Sequence, residues 1–479
     1  MGILDVCLKL LIVLSLLGFS SPFAIAKDKN HRKLQVSENK RLLQYEDGTP
    51  FFYLGDTAWE LFHKLNKEEV DLYLQDRATK GFTVIQAVAL AELDGVNSPN
   101  AYGYLPLENG DPAKPLLTPG NDNDYWDHVD YVIEKANSLG LVIAMLPTWG
   151  SYWHDKDKSI FNVENAEDYG CFLGERYRNS DIIWVLGGDR VPENEEMKEI
   201  IRAMAKGLNT GDNGSHLCSF HPGGGYGSAI YFHNEDWLDF NMRQNGHEVD
   251  YWRYSQTLED YRLNPIKPVM DSEPVYEDHP VAFNPDKFGH TISMDCRRAL
   301  YWNLFDGAFG HTYGHHSIWQ MYNPIRDEAI NNPLMSWQKA LEQPGSSHMK
   351  YAKQLLLSRP YFSRVPADDV IIKDKVETSI PGRGRYRFVA TKDSKGSYAM
   401  VYAPVGRSFS VNMEVINDKR VVAWWFNPRN GKSRKIGVFD NKGICLFNPP
   451  ALGEMVDWIL VLDASSCKYV IPESDNLIY

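Results

Sequence analysis

The stretch 181–190 constrains the fold of this chain more than any other. Five apolar residues (182–186) run without polar alternation, which is typical of a strand buried on both faces of a parallel sheet. Two glycines follow, and Asp189 then stands where such a strand would reach the surface. The segments 165–178 and 197–208 on either side have helical periodicity. This order of helix, strand, carboxylate and helix predicts an α/β barrel, in which chemistry occurs at the carboxyl ends of the strands.

The same unit repeats along the chain from residue 45 to residue 365. Seven further strands are predicted at 51–54, 83–90, 141–146, 217–220, 238–242, 268–273 and 308–313. Other helices are predicted at 67–79, 124–139, 250–262 and 293–305, with a closing helix at 334–357. Eight strand–helix units in this length predict a (β/α)8 TIM barrel over 45–365, closed by right-handed crossovers.

The pattern of residue types changes after Arg364. Short apolar segments alternate there with Gly, Pro and Asn, at 385–390, 398–402, 421–426 and 458–462. This pattern predicts a small antiparallel β-sandwich over 366–479.

The N-terminus has the pattern of an export signal. The apolar run 8–19 is too short to span a membrane, and 24–26 reads Ala-Ile-Ala, a small-x-small cleavage site. We therefore expect a signal peptide over 1–26, a loose polar arm over 27–44, and a periplasmic or secreted protein without a membrane span. The later cysteines are widely spaced, so a Cys445–Cys467 bridge and free thiols are both compatible with the sequence.

Charge and composition narrow the class of partner. The formal net charge of -13 argues against nucleic acid, whose phosphates require a basic surface. Aromatic residues make up 13% of the chain, which suits stacking on sugar rings but suits a large core equally well. The glycine run 223–225 has neither a Walker lysine nor a dinucleotide pattern, so no cofactor is expected.

Polar and aromatic side chains follow most of the predicted strands and would gather at one end of the barrel. Two carboxylates, Asp189 after the fourth strand and Glu273 after the seventh, would face each other across the rim. Alternation along 268–273 places Asp271 and Glu273 on one face, with Glu273 pointing towards the axis. The candidates for substrate binding are Asp56, Trp59, Glu92, Trp149, His221, Asn245, His247, His315 and Trp319.

Two facing carboxyl groups are what glycoside hydrolysis requires, one protonated and one ionised. Each has a structural alternative, since Asp189 could cap the next helix and Glu273 could be an ion-pair partner. Glu277 is a competing candidate, but it already lies in the loop. The three histidines of the binding set could instead form a zinc site, although they lack the tight spacing of a metal motif, and no metal is expected.

Four motifs lie in chain order at the first, second, fourth and seventh predicted strands. They are Gly55-Asp56-Thr57-Ala58-Trp59-Glu60-Leu61, Lys80-Gly81-Phe82-Thr83-Val84-Ile85-Gln86, Trp184-Val185-Leu186-Gly187-Gly188-Asp189 and Asp271-Ser272-Glu273-Pro274. Together they resemble the apiosidase-like glycoside hydrolases, family 140, over 35–365. The tail resembles the collagen-binding-type sandwich found in that family.

The resemblance implies a retaining hydrolase of apiosyl linkages in the side chains of the pectin rhamnogalacturonan II. Asp189 would be the acid/base and Glu273 the nucleophile, although an Asp departs from the Asn-Glu pair common among related barrels. The carboxyl groups should then approach within about 5–5.5 Å, with Glu273 ionised and Asp189 protonated.

Three alternatives remain on the sequence alone. They are a glycosidase of another furanoside or pyranoside specificity, a non-catalytic glycan-binding protein on a barrel scaffold, and a metal-dependent hydrolase that uses the histidines. The expected partner is an oligosaccharide or polysaccharide, and the sequence leaves the oligomeric state open.

Overall fold

An eight-stranded parallel sheet forms the centre of the larger, N-terminal part of the structure. The computed structural model describes residues 32–372 and 382–473, and those from Lys33 on belong to one compact unit. The predicted signal peptide, 1–26, lies outside the described residues. Among the helices that are described, none is long and apolar enough to cross a membrane.

Each strand of the barrel is short and buried, as its apolar run predicts. A small antiparallel sheet comes first, formed by β1 (Leu34–Val36), β2 (Leu43–Tyr45) and β3 (Pro50–Phe51). The barrel strands are β4 (Tyr53–Thr57), β5 (Val84–Leu90), β6 (Val142–Thr148), β7 (Ile182–Gly187), β8 (Cys218–His221), β9 (Asn241–Arg243), β10 (Val269–Asp271) and β11 (Gly310–Tyr313). They pair in the order β8-β7-β6-β5-β4-β11-β10-β9. Ser219 Oγ donates to Phe240 O at 2.6 Å, which brings the two ends of this sheet together.

The helices cover the outside of the barrel, and side-chain caps fix where several of them begin. They are α1 (Leu61–Lys64), α2 (Lys67–Thr79), α3 (Tyr125–Ser138), α4 (Ser151–His154), α5 (Val163–Tyr177), α6 (Glu195–Asp212), α7 (Ala229–Phe232), α8 (Tyr251–Tyr261), α9 (Pro285–Phe288), α10 (Ser293–Phe305), α11 (His316–Trp319), α12 (Trp337–Ala340) and α13 (Pro344–Leu357). Asn66, Asp124 and Asn194 each accept the N–H three residues further on. The predicted closing helix is two helices, because Pro344 occupies the first turn of α13 and cannot continue α12.

The C-terminal part is an antiparallel sandwich. Its strands are β12 (Arg364–Pro366), β13 (Val389–Asp393), β14 (Tyr398–Ala403), β15 (Phe409–Asn412), β16 (Arg420–Asn427), β17 (Lys432–Asp440), β18 (Ile444–Phe447) and β19 (Trp458–Ala464). Six of them form a sheet in the order β12-β13-β14-β19-β16-β17, and β15 pairs with β18. Tyr402 on one face of the larger sheet stacks on Tyr301 of α10, with ring centroids 4.8 Å apart. A barrel followed by a sandwich is the fold class that the sequence predicts, and it is confirmed.

The structure differs from the prediction for the N-terminal arm, and it decides between a disulfide bridge and free thiols for Cys445 and Cys467. The arm predicted over 27–44 is not loose from Leu34 on, because Leu42 and Leu43 are buried and β1 pairs with β2. Cys445 and Cys467 are both free thiols.

Candidate active site

A tight turn presents Asp189 at the carboxyl end of β7. Gly187 and Gly188 both have φ of +99°, and Asp189 itself has a φ of 57°. A Cβ atom on Gly188 would lie 2.7 Å from the backbone nitrogen of Gly150, whose N–H donates to Gly188 O at 2.9 Å. The two glycines therefore let the chain turn against the end of β6 and fix the direction of the Asp189 side chain.

The carboxyl group of Asp189 is partly exposed and lies among polar groups. Its side chain is 34% exposed, and Arg190 Nη1 lies 3.4 Å from Oδ2. The side chain of Gln244 lies close enough to the same carboxyl group to favour its ionised form. Partial burial and the negative charge of Glu273 raise the pKa of Asp189 above its ordinary value. A carboxyl group in this state can hold a proton and donate it.

Glu273, just beyond β10, is held by two imidazoles. His221 Nε2 lies 3.2 Å from Oε2 of Glu273, and His247 Nε2 lies 3.4 Å from Oε1. Burial on its own would raise the pKa of Glu273, but the two histidines outweigh it, and the pKa lies well below its ordinary value. The environments of Asp189 and Glu273 thus drive the two groups to opposite protonation states.

Asp271 does not share the cleft with Glu273, so the alternation predicted along 268–273 is wrong. β10 ends at Asp271, and the bend that follows breaks the two-residue period. The buried carboxylate of Asp271 accepts from Asn245 Nδ2 at 2.8 Å and from Asn303 Nδ2 of α10 at 2.9 Å. It also accepts from the N–H of Glu273 at 3.3 Å. Asn245, predicted to bind substrate, is therefore engaged with Asp271 instead.

Two tryptophans pack beside His221. The ring of Trp59 lies 5.3 Å from that of His221 and 5.5 Å from that of Trp149. Because His221 contacts Glu273, this cluster borders the carboxylate on one side. Both tryptophans are nearly fully buried, so neither offers an open ring face to a sugar in this structure.

A third carboxyl group, Glu92, lies near the other two. It follows β5, and its pKa is raised well above the ordinary value by burial and by the charges of Glu60, Asp189 and Glu273. Glu92 therefore favours the neutral form, in which a carboxyl group can donate a hydrogen bond to a sugar hydroxyl.

Two other predicted binding residues face the protein interior. Asp56 Oδ2 lies 2.6 Å from Arg77 Nε of α2, because Asp56 points out of the barrel towards the helix layer. His315 is fully buried: its Nδ1 accepts the N–H of Ser317, and its Nε2 lies 3.2 Å from Asp278 Oδ2. Neither side chain is presented to the cleft, so these two assignments are corrected.

The remaining predicted groups lie near β11. Trp319 is nearly buried and its indole N–H donates to His316 at 3.4 Å. Glu277, the competing carboxylate, accepts from Tyr313 Oη at 2.6 Å and from the N–H of Gly345 at 3.0 Å, away from Asp189. Within 32–372 and 382–473, no group of three or more His, Cys, Asp or Glu residues is placed to hold a metal ion.

Three residues of the cleft were not singled out from the sequence. Gln244 directly follows β9, and Tyr276 follows the Glu-Pro pair, with its ring 4.5 Å from that of His247. His279 stacks on His247 at 3.9 Å. Gln244 and Tyr276 could have been found from the sequence because both lie close to the end of a strand. His279 lies near His247 only because of the path that its loop takes, which the sequence does not indicate.

Comparisons with known proteins place the chain in a family. Residues 37–363 match the family model "Apiosidase-like, catalytic domain", and 365–463 match that of a collagen-binding-like domain of a collagenase. The chain is 35% identical to a glycoside hydrolase family 5 protein from Bacteroides vulgatus, over 92% of this chain and 95% of that chain, with a TM-score of 0.84. A second structure, described as a glycoside hydrolase, is 36% identical over 92% of this chain and 98% of that chain, with a TM-score of 0.82. A search of curated proteins finds no match. The chain belongs to the apiosidase-like family and is a glycoside hydrolase.

Proposed function

We propose that this glycoside hydrolase is an exported, retaining enzyme that cleaves apiosyl linkages in side chains of the pectin rhamnogalacturonan II. The observation that carries the reaction is the pair of histidine contacts on Glu273, His221 Nε2 at 3.2 Å from Oε2 and His247 Nε2 at 3.4 Å from Oε1, which favour its ionised form, while the pKa of Asp189 is raised. The sugar specificity is supported by the family match over 37–363. Export is supported by the signal-peptide pattern of 1–26.

In this mechanism Glu273 is the nucleophile. Its carboxylate attacks the anomeric carbon while Asp189 gives its proton to the leaving oxygen, and a covalent glycosyl ester forms on Glu273. Esterification removes the negative charge that raises the pKa of Asp189, so Asp189 stays ionised after it has given up its proton and is ready to act as the base in the second step. It then takes a proton from water as that water attacks the ester, which restores both residues and retains the anomeric configuration.

Neighbouring side chains orient these two groups. His221 and His247 each meet a different oxygen of Glu273, which fixes the plane of the carboxylate for attack. Glu92, in its neutral form, donates a hydrogen bond to a hydroxyl of the sugar that is attacked. Double displacement requires the carboxyl groups of Asp189 and Glu273 to lie about 5–5.5 Å apart, whereas about 6.5–9.5 Å would indicate inversion.

The test is to incubate the purified protein with oligosaccharides of rhamnogalacturonan II and to analyse the linkages of the products. We expect cleavage at apiosyl linkages, unchanged by a chelator, and no cleavage by Glu273→Gln, which should still bind the oligosaccharide. Binding without turnover by the unaltered protein would identify a glycan-binding protein, and loss of activity with chelator would identify a metal-dependent hydrolase. Cleavage confined to other linkages would contradict the proposed specificity.

A further inference from the structure

An exposed aromatic ring stands at the rim of the cleft, one side chain away from Glu273. The side chain of Phe283 is 62% exposed, and its ring centroid lies 6.0 Å from that of His247. His247 in turn contacts Glu273 through Nε2, at 3.4 Å. Exposure of much of a phenyl ring is unfavourable in water, which gives a ligand that covers it a source of binding free energy.

Phe283 is the outer end of a continuous row of rings. The ring of Tyr276 lies 4.5 Å from that of His247, and His279 stacks on His247 at 3.9 Å with an interplanar angle of 25°. Phe283 then meets His279 edge-on, at 4.9 Å and 85°. Burial lowers the pKa of His279 to about 2, so its ring is uncharged at neutral and mildly acidic pH. The row therefore leads outward from the nucleophile through the buried rings of Tyr276 and His279 and ends at the exposed ring of Phe283.

The backbone holds the Phe283 ring outward in a strained conformation. Ala282 and Phe283 have φ of 50° and 56°, in the left-handed region that a bulky residue rarely adopts. The turn is closed by hydrogen bonds from Phe283 N–H to Pro280 O at 3.0 Å and from Asn284 N–H to Val281 O at 3.1 Å. Strain and exposure both destabilise the folded chain, and strain of this kind is concentrated at ligand-binding sites.

We infer that Phe283 binds a second sugar ring of the substrate, next to the ring whose glycosidic bond is broken. A sugar ring presents a face of C–H groups that packs on an aromatic ring while its hydroxyls remain in water. Phe283 lies beyond His247 from Glu273, so it contacts substrate outside the reacting sugar and determines which oligosaccharides bind. The inference rests on the proposed glycosidase function and adds a requirement for at least two sugar rings in contact with the protein.

The test uses binding, measured by calorimetry on the Glu273→Gln protein so that the ligand is not consumed. The ligands are an apiose-containing oligosaccharide of rhamnogalacturonan II and free apiose. Adding Phe283→Ala should weaken oligosaccharide binding about tenfold, the loss expected for one aromatic contact. Apiose binding should not change, since a single sugar occupies the site beside Glu273, and Phe283→Tyr should restore oligosaccharide binding.

Phe288→Ala is the matched control. Phe288 belongs to α9 in the same loop and is 52% exposed, and it lies against Lys287. This change should leave the binding of both ligands unaltered. An equal effect of the two alanine variants, an equal loss for both ligands, no loss for the oligosaccharide, or no oligosaccharide binding at all would overturn the inference. Turnover by the unaltered protein is measured separately: if it is absent while the Phe283 effect persists, the proposed function fails and the sugar site stands.

Discussion

His221 and His247 reach the two oxygens of Glu273 from different strands, one within β8 and the other after β9. Their contacts lower the pKa of Glu273 against the effect of burial, while burial and Glu273 raise that of Asp189. Activity requires Glu273 ionised and Asp189 protonated, so it should be highest between the two pKa values. It is gained as pH rises through the lowered pKa of Glu273 and lost as pH rises through the raised pKa of Asp189.

Replacing one imidazole should therefore move one limb of the pH profile. His247→Gln removes a contact that lowers the pKa of Glu273, so the acidic limb of kcat/KM should shift to higher pH. The control is His216→Gln, because His216 also contacts a carboxylate, Asp212 at 2.9 Å, but lies before the start of β8, whereas His221 is the last residue of that strand. A profile that moves equally in both variants, or in neither, would show that His247 does not set the ionisation of Glu273.

At the level of single residues, the sequence is sufficient to predict the two carboxylates of the site but not all of the side chains around them. Asp189 and Glu273 follow strongly patterned strands, so their approximate positions are predictable. Asp56 and His315 also follow predicted strands, yet each points into the protein, because the direction of a side chain depends on the residue at which its strand ends. Phe283 could not be predicted, since a 3-10 turn with left-handed residues leaves no periodic pattern.

Among the elements, the turn after β7 has the most direct effect on catalysis. Gly187 and Gly188 allow the chain to pass against Gly150 and set the position of Asp189. Strands β5, β6 and β7 agree with the sequence prediction to within two residues, because long apolar runs specify them. β17 was not predicted, since it is an edge strand whose side chains are mostly exposed and in part charged.

Gly188→Ala should disturb Asp189, and Gly140→Ala is the control. Both glycines have positive φ, 99° and 78°, but a Cβ at Gly140 meets no atom within 4 Å, whereas at Gly188 it meets Gly150 backbone at 2.7 Å. Gly140→Ala should cost about 1–2 kcal/mol of stability with activity unchanged. Gly188→Ala should lower the Tm further and cut kcat about 10²-fold through displacement of Asp189. Similar kcat values for the two variants would contradict this role of the turn.

At the scale of the whole molecule, the sandwich is joined to the barrel through a shared core. Tyr402 stacks on Tyr301, and Arg297 of α10 binds both oxygens of Asp457 at 2.9 and 3.0 Å. Both partners of this ion pair are buried. We therefore expect the two parts to unfold together in one calorimetric transition. The sequence predicted both parts, but not that one face of the larger sheet packs against barrel helices.

Asp457→Ala tests this coupling. It leaves the buried Arg297 guanidinium without its carboxylate, which should lower the free energy of unfolding by about 3–5 kcal/mol. Asp440→Ala, which breaks an exposed pair with Arg420 at 2.7 Å, should change it by only about 0–1 kcal/mol. Denaturant unfolding followed by fluorescence measures both. Equal effects of the two changes, or separate transitions for barrel and sandwich, would argue against a shared core.

The double-displacement mechanism is tested most directly by locating a covalent sugar on the protein. Asp189→Ala is mixed with an aryl apioside that carries a good leaving group, and digested protein is analysed by mass spectrometry. Formation of the ester needs little proton donation with such a substrate, whereas its hydrolysis lacks the base, so the intermediate should accumulate. We expect the mass of one sugar residue on the peptide that contains Glu273, and none on Glu273→Gln. Substrate turnover without any adduct, or a sugar on a different carboxylate such as Glu92, would contradict Glu273 as the nucleophile.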